Sequence, residues 1–373
     1  MTERLNFVHI LNKESIGGAE SLVKSLVDYD QSNTHNILYI ANNKLSKRAL
    51  SVSRFRQLVI FFSVIRLVKE IVLAAYFKKQ KIYIFHLAEC HLLFYIIQYI
   101  IPLKKMQSIF ICYIHQSPKL YPDKLLKFTK SWSKKSDGII FYSKVVEDSW
   151  SPYLTKIQST SRNVIHSFVS NVYIKKPQNK EDLNSLNSLN SLEIVFVGRF
   201  VSWKRPEKAA QIASQIAHKG VKVNLNYIGI PGAKSSSFKK YLSEENLNLV
   251  FHGLVTNGVD LLNKMDLMVY PVDQDLCIEG VGIAAMEALV LGVPVVISNK
   301  NSTDFFELNS IIDFRELENA IKLYDKDKFI NYISQLKMQA NQNISIAKHN
   351  FSIGNYINNL VQVALSILEY KKI

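Results

Sequence analysis

Short apolar runs alternate with helical stretches along the whole chain, a spacing typical of strand–helix–strand units and parallel sheets. In the first half, the runs predict strands at residues 5–11, 36–41, 81–87, 108–115 and 138–143. In the second half, they predict strands at residues 193–197, 223–228, 249–252, 267–270 and 293–297. A chain of 373 residues is long for one core. The pattern therefore predicts two α/β domains of Rossmann type.

The boundary between the two domains is predicted at a polar repeat of Asn, Ser and Leu in residues 184–192. Such low complexity is typical of a linker or surface loop. We assign residues 1–180 to the first domain and residues 181–350 to the second. Apolar positions at helical spacing in residues 356–370 predict a last helix, which belongs to a third segment, residues 351–373.

The most informative stretch is the loop and helix between the strands at residues 267–270 and 293–297. Glu279 lies in the loop, and Glu287 is expected about two turns into the helix. The residues expected to open the helix are Gly280, Val281 and Gly282. Backbone N–H groups at the start of a helix, together with its dipole, can bind a diphosphate.

A second loop carries two cations. Arg199 and Lys204 lie between the strand at 193–197 and the helix that Pro206 begins. Two cations at that position can bind a diphosphate and stabilise a leaving nucleotide. Asp273 and Asp275 form an Asp-x-Asp pattern that could instead hold a divalent cation. With Arg199 and Lys204 present, no metal is required electrostatically, and we expect none.

These features resemble the large family of retaining nucleotide-sugar glycosyltransferases with the GT-B fold. The resemblance rests on Glu279 and Glu287 with seven residues between them, on the Gly-Val-Pro-Val-Val run behind them, and on the Gly-Arg pattern followed by Lys204. The family usually has an aromatic residue where this chain has Val281, a change that leaves the backbone role intact. The resemblance implies two Rossmann-like domains that face each other across a cleft, with the last helix crossing back to the first domain.

The resemblance also implies roles for these residues. Glu287 would bind the ribose hydroxyls of the donor, Arg199 and Lys204 would bind its diphosphate, and Glu279 would contact the transferred sugar. Transfer would proceed on one face of the sugar, with the departing phosphate taking the proton of the acceptor. No covalent nucleophile, metal or other cofactor is then needed.

In the first half, glycines follow the first predicted strand and a histidine ends the fourth. Gly17 and Gly18 let the backbone approach a ligand, and by the resemblance they would complete the phosphate site. His115 resembles the family position that contacts the donor sugar or the reaction centre, where it could donate to a sugar hydroxyl. Three other histidines are predicted to be core or surface residues: His86, His91 and His166.

The net charge of +15 is concentrated in the first half. Residues 1–180 contain 27 Lys and Arg and 11 Asp and Glu, a net charge of +16, whereas residues 181–373 carry −1. This asymmetry indicates an anionic partner such as a membrane surface, a nucleic acid or an anionic substrate. Residues 54–77 predict a long helix with basic residues around it. It is either packed on the sheet with a solvated basic face or lies in the plane of a membrane surface.

The location of the protein is predicted from what the sequence lacks. The apolar runs are too short to span a bilayer, and residues 1–11 do not resemble a signal peptide. Three isolated cysteines fit a reducing cytoplasm. We therefore expect a cytoplasmic bacterial enzyme on the inner face of the membrane. It would transfer a sugar from a nucleotide donor, UDP rather than GDP, to a lipid-linked or surface-polysaccharide acceptor.

The sequence is also consistent with two other functions. The basic half could belong to a nucleic-acid- or polyanion-binding protein, although no known nucleic-acid-binding module is recognised in it. The chain could also be a non-catalytic subunit that binds a nucleotide sugar without transferring it.

Overall fold

The computed structural model describes residues 4–13, 18–41, 53–103, 106–121, 123–154, 162–175, 191–229, 238, 241, 243–273, 275, 281–298 and 308–372. The chain divides into two compact units. The first comprises Met1–Ser167 together with Ile353–Ile373, and the second comprises Phe168–Ser352. Most of the predicted linker, residues 184–190, lies outside the described residues.

Each unit contains a six-stranded parallel sheet. The strands are β1 (Asn6–Lys13), β2 (Thr34–Ala41), β3 (Ile82–His86), β4 (Ile109–Ile114), β5 (Gly138–Phe141), β6 (Arg162–Val164), β7 (Leu192–Val197), β8 (Val223–Ile228), β9 (Leu247–Gly253), β10 (Leu267–Tyr270), β11 (Val295–Ile297) and β12 (Ile311–Asp313). The order is β2-β1-β3-β4-β5-β6 in the first unit and β12-β11-β10-β7-β8-β9 in the second.

The helices of the described chain connect these strands. They are α1 (Gly18–Tyr29), α2 (Ser53–Tyr76), α3 (Leu87–Ile100), α4 (Asp123–Leu126), α5 (Thr129–Lys135), α6 (Lys144–Trp150), α7 (Asn171–Lys175), α8 (Pro206–Ala217), α9 (Gly258–Leu262), α10 (Ile283–Val290), α11 (Phe314–Leu323), α12 (Lys326–Gln342), α13 (Ile344–Asn350) and α14 (Ile353–Lys372). Short 3₁₀ turns lie at Pro118–Leu120 and Ser202–Lys204.

Helices cover both faces of the first sheet. On one face, Val8 of β1 belongs to a core cluster with Leu67 of α2 and Phe94 of α3. On the other face, α1 contacts β2 and α14 contacts β4. The side chain of Ile367 on α14 lies so close to Gly138 that a Cβ there would be 2.5 Å from its Cδ1 atom. Helix α14 is therefore part of the first unit, although it follows the second in the chain.

The fold class predicted from the sequence is confirmed, since two parallel α/β sheets are present and the last helix belongs to the first unit. Two strands, β6 and β12, are not predicted by the sequence. Each has three residues and lies at a sheet edge, so it is too short for a periodic signal. One detail is corrected: α10 begins at Ile283, because Gly282 is extended (φ −72°, ψ 161°). Glu287 therefore lies little more than one turn into the helix, not two.

Candidate functional site

The candidate site of the second unit lies at the carboxyl edge of its sheet, where ligands bind in open α/β folds. Gly198 follows β7 and Gly229 follows β8, with φ values of 152° and 140°. A Cβ on Gly229 would overlap the carbonyl oxygen of Gly198. Only glycine fits there, and the two strand ends are held in close backbone contact.

Lys204 lies above this pair of strand ends. A Cβ on Gly198 would be 3.0 Å from its Cδ atom, so the stem of the lysine follows the Gly198 backbone. Its Nζ atom lies 4.9 Å from the ring centroid of Trp203 and 5.4 Å from that of Tyr270. Both distances are within the range of cation–π attraction. The ammonium group is thus held at the sheet edge, whereas Arg199 is exposed.

Tyr270 connects Lys204 to the start of α10. It is the last residue of β10, and its hydroxyl lies directly against Gly282, where an added Cβ would overlap it. Val281 is buried beside Gly282. The same tyrosine therefore contacts both the positive end of a helix dipole and a lysine ammonium. That combination can bind an anionic group such as a phosphate.

Glu287 lies on α10 in a polar contact with Tyr173 of α7. Burial raises the pKa of the Glu287 carboxyl to about 7, although the hydrogen bond from Tyr173 acts to lower it. Burial and the nearby Glu287 charge raise the pKa of the Tyr173 hydroxyl. Both the neutral and the ionised form of the Glu287 carboxyl are therefore accessible near neutral pH, and a ligand that donates hydrogen bonds to it would favour the charged form.

The Asp-x-Asp pattern forms a local turn. One carboxylate oxygen of Asp273 accepts a hydrogen bond of 2.9 Å from the backbone N–H of Asp275. The other oxygen lies 3.9 Å from a guanidinium nitrogen of Arg205, and the Asp273 backbone N–H donates to the carbonyl of Trp203. In the described part of the chain, no group of three or more His, Cys, Asp or Glu residues is arranged to bind a metal ion.

The other predicted site residues are placed as follows. Gly18 is the first residue of α1. His115 directly follows β4, at the carboxyl edge of the first sheet. The positions that lie outside the described residues are Gly17, Glu279 and Gly280. The structure thus brings Lys204, Val281 and Gly282 to one edge of the second sheet, and it places Glu287 one turn along the helix that starts there.

Residues 178–304 match the family model described as Glycosyl transferases group 1. This match confirms the resemblance to the glycosyltransferases. The matched segment falls within the second unit and includes Arg199, Lys204, Glu279 and Glu287, whose individual roles it does not test. A comparison of the chain with curated proteins gives no match.

Solved structures of low sequence identity share the fold over nearly the whole chain. The Anabaena protein Alr3699/HepE, crystallised with UDP, is 14% identical with a TM-score of 0.67, and the match covers 97% of this chain and 100% of that one. A Rickettsia africae glycosyltransferase is 14% identical with a TM-score of 0.64, covering 98% and 100%. The lipopolysaccharide outer core galactosyltransferase WaaB is 14% identical with a TM-score of 0.60, covering 97% and 99%. These matches establish the GT-B fold, and with the family match they support glycosyl transfer from a nucleotide sugar.

Two residues of this site are not predicted from the sequence. Tyr270 ends a buried strand and Tyr173 lies in a five-residue helix, so neither stands out from its neighbours. The available signal for Tyr270 was its position just before Pro271, at the strand end that faces the glycine-rich loop. For Tyr173 there was no local signal, because its role depends on contact with a helix more than a hundred residues away.

Proposed function

We propose that this protein transfers a sugar from a UDP-sugar to a lipid-linked or surface-polysaccharide acceptor, with retention of the anomeric configuration and without a metal. The observation that carries the proposal is the contact of Tyr270 with both Lys204 and the start of α10. A cation and a helix N-terminus at one point of the sheet edge suit the diphosphate of a nucleotide sugar. The complexes of HepE with UDP and with UDP-glucose support the same donor class.

The reaction we propose breaks the bond between C1 of the sugar and the diphosphate oxygen. The acceptor oxygen bonds to C1 on the same face, and its proton passes to the departing phosphate oxygen. Lys204 and Arg199 stabilise the negative charge that develops on that phosphate. Glu287 binds the ribose hydroxyls, Glu279 contacts the sugar, and His115 acts at the sugar end of the reaction. No enzyme-bound intermediate is formed.

The exposed surface of α2 supports a membrane-bound acceptor. Phe61, Phe62 and Tyr76 are 58%, 64% and 79% exposed, although residues of this size are usually buried. The neighbouring exposed apolar side chains are Ile65, Val72, Leu73 and Phe77 on and after α2, with Tyr99 and Ile100 at the end of α3. An exposed apolar surface of this extent indicates a binding surface rather than an ordinary solvated helix.

The charges on this surface favour an anionic bilayer as its partner. Basic side chains interleave with the apolar ones: Arg66, Lys69, Lys78 and Lys79 are all exposed. Within the described side chains of α2, the one acidic residue is Glu70, which is paired with Lys81. Aromatic and basic residues on one helix surface are typical of helices that lie in the interface plane. None of the described helices is long and apolar enough to cross a membrane. The aromatic and basic residues of the α2 surface support our proposal that the protein binds the cytoplasmic face of the membrane.

The donor assignment is tested by binding and by turnover. Ligand-induced thermal stabilisation with UDP, GDP and a panel of their sugars should identify the base and the sugar, since a ligand at about 100 times its Kd stabilises by about 2.7 kcal/mol. Slow hydrolysis of the preferred donor should accompany binding. If no nucleotide stabilised the protein, the proposed function would be wrong. If UDP bound but no donor was ever cleaved, a non-catalytic subunit would be indicated.

Changing Glu287 to Gln should weaken UDP binding about ten- to a hundredfold, because a hydrogen bond to a charged acceptor contributes about 1.5–3 kcal/mol. Wild-type affinity for UDP should also rise between about pH 5.5 and about pH 8, as the carboxyl with a pKa of about 7 ionises. The Gln variant removes this contribution and keeps the pH dependence of the UDP phosphate itself. Calorimetric titration across that range measures both effects.

Two results would contradict this assignment of Glu287. One is an unchanged UDP affinity in Glu287→Gln, and the other is a wild-type pH profile identical to that of the variant. Glu279→Ala is the matched control, since a residue that contacts the sugar should leave UDP affinity nearly normal while lowering turnover.

In the absence of ligand, the raised pKa of Glu287 makes the folded protein less stable as the pH rises, whereas UDP affinity increases. The contribution of Glu287 to stability is complete below its unfolded pKa and is lost as the pH rises through about 7.

Activity should persist after exhaustive chelation of divalent metals, because Lys204 and Arg199 supply the positive charge on the diphosphate. Transfer or donor hydrolysis is measured after treatment with a chelator, with and without added Mg²⁺ or Mn²⁺. The variants Asp273→Ala and Asp275→Ala should remain active. A strict metal requirement that either variant abolishes would establish a cation site at this loop instead.

A further inference from the structure

Four histidines form an unbroken hydrogen-bonded row across the first sheet. His35 Nδ1 lies 2.9 Å from His9 Nε2, His9 Nδ1 lies 3.1 Å from His86 Nε2, and His86 Nδ1 lies 2.9 Å from His115 Nε2. At the far end, His35 Nε2 lies 2.8 Å from a carboxylate oxygen of Asp30. The row therefore connects a buried carboxylate to the histidine at the carboxyl edge of the sheet.

The register of the parallel strands produces this row. His35 is paired with Phe7, two residues before His9. In the same way, His9 is paired with Ile84, two residues before His86, and His86 is paired with Tyr113, two residues before His115. Side chains alternate between the faces of a strand, so a step of two residues keeps every ring on the same face. Neighbouring rings are stacked, with centroids 5.2–5.3 Å apart.

Burial favours the neutral form of all four rings. His9 and His86 are fully buried, and burial lowers the pKa of each imidazole well below its usual value. Burial also lowers the pKa of His115, to about 3, and that of His35, although Asp30 acts to raise the latter. Burial would raise the pKa of Asp30, but hydrogen bonds from Asn33 and His35 hold it below its usual value.

Neutral rings and an ionised carboxylate leave one arrangement of the protons. A neutral imidazole has one N–H donor and one acceptor nitrogen. Asp30 can only accept, so Nε2 of His35 carries the hydrogen and its Nδ1 accepts. Nε2 of His9 must then donate to that Nδ1, and the same holds for His86 and His115 in turn. Every N–H points towards Asp30, and His115 is left with an unprotonated Nδ1. Within the described residues, no group hydrogen-bonds to that nitrogen.

We propose that Asp30 acts through this row of histidines as a positioning residue that fixes His115 as the Nε2–H tautomer. Nδ1 of His115 is then available to accept a hydrogen bond from a hydroxyl group of the sugar donor or the acceptor, and not to donate one as the sequence analysis expects. This use of Nδ1 rests on the proposed function, whereas the tautomer itself does not. The backbone beside the row is also unusual: Leu87, directly after His86, has a left-handed φ of 67°. Such strain persists where the surrounding structure over-determines it.

The variant Asp30→Asn should reverse the whole row. One carboxylate oxygen of Asp30 accepts the backbone N–H groups of Ser32 (2.9 Å) and Asn33 (3.1 Å). The other oxygen accepts from His35 Nε2 (2.8 Å) and from the side-chain NH₂ group of Asn33 (3.0 Å). The carbonyl oxygen of the new amide keeps the two backbone bonds, so its NH₂ group faces His35 and replaces the oxygen that accepted from Asn33. His35 Nε2 must then accept, its Nδ1 takes the hydrogen, and each following ring changes tautomer in the same way. His115, four rings from the substitution, should become the Nδ1–H tautomer.

Nitrogen NMR of ¹⁵N-histidine-labelled protein identifies the tautomer of His115 directly, because protonated and unprotonated ring nitrogens have well-separated chemical shifts. The chain has nine histidines, and the His115 signals are assigned by their loss in His115→Gln. Asp137→Asn is the matched control. Its carboxylate lies in the same unit and binds the Phe110 N–H and Lys371, both at 2.9 Å, but it is not part of the row. It should leave the His115 tautomer unchanged.

The proposal fails if wild-type His115 carries its hydrogen on Nδ1, a result that does not depend on whether Asp30→Asn folds. It fails equally if Asp30→Asn folds and leaves His115 in its wild-type tautomer. In His9→Phe the row is interrupted, so adding Asp30→Asn to it should have no further effect on His115. Turnover of the Asp30→Asn enzyme should fall about tenfold or more, as expected when a positioned proton donor or acceptor is altered, with UDP affinity unchanged. If the wild-type protein did not bind UDP, the proposed function would be contradicted, but the assignment of the His115 tautomer would not be affected.

Discussion

Replacing Lys204 with methionine should lower the turnover of sugar transfer by a factor of about 10² to 10³, as expected when one preorganised charge-stabilising group is lost. Methionine keeps an apolar stem against Gly198 and removes the ammonium group that lies over the Trp203 ring. Negative charge on the diphosphate grows as the bond to the sugar breaks. The loss should therefore be larger in kcat than in donor affinity, since the interaction is strongest in the transition state.

Single-turnover transfer, or donor hydrolysis if the acceptor is not in hand, measures this effect in protein whose folding has been checked by thermal melting. Lys208→Met is the matched control. Lys208 lies one turn further along, in α8, where its ammonium group is bonded at 2.8 Å to Glu318. Its loss should cost stability and leave kcat unchanged. Equal impairment of the two variants, or a normal kcat in Lys204→Met, would remove Lys204 from the reaction.

Neutralising four basic residues of the α2 surface should weaken attachment to anionic vesicles by about 10³-fold. Each basic side chain near such a surface contributes about 1 kcal/mol, and about 4 kcal/mol corresponds to nearly three decades in affinity. The changes, all to glutamine, are at Arg66, Lys69, Lys78 and Lys79. Because this attraction acts through solvent, ~0.5 M salt should release the wild-type protein as well, since the Debye length is then below about 5 Å.

Co-sedimentation with vesicles of increasing anionic lipid content, against neutral vesicles, is the measurement. The matched control removes four exposed lysines from the second unit, by changing Lys264, Lys322, Lys326 and Lys328 to glutamine. It should bind like the wild type. Changing Phe61 and Phe62 to Ser should also lower vesicle binding, because these side chains bury apolar surface in the bilayer. Salt should not reproduce this effect, since it screens only the charge interactions. If vesicle binding did not depend on lipid charge or on salt, an anionic membrane surface would be excluded as the partner of α2. Competition by nucleic acid at the same sites would identify a different partner.

The strands could be predicted because most are buried on both faces, which gives continuous apolar runs. The predicted bounds of β8 and β10 are those of the structure, and β3 and β4 differ by a single residue at each end. The start of α10 was placed too early, because a Gly-Val-Gly sequence allows either a helix or an extended entry. Cap geometry at Gly282 decides between them, and Gly282 lies against the Tyr270 hydroxyl, a contact between two elements that the local sequence does not encode.

The candidate site was less accessible to sequence reasoning than the fold. Lys204 could be found because a cation in a strand-to-helix loop stands out from its neighbours. The histidine row could not, because it depends on the relative register of four strands separated by helices, and no local pattern encodes that register. A usable signal was present in each strand, namely a polar ring at an inward position, as at His9 between Val8 and Ile10. Linking those rings required the pairing of the strands.

The position of α14 also has a consequence for biosynthesis. The first unit is made of two separate stretches of chain, whereas the second is one continuous stretch. On the ribosome, Asp137 and Gly138 are made more than two hundred residues before Lys371 and Ile367, their partners on α14. The second unit therefore has its whole sequence available first and can complete its fold, as contiguous domains do during synthesis. The unit translated first is completed last, and until then its sheet stays open on the side that α14 will cover.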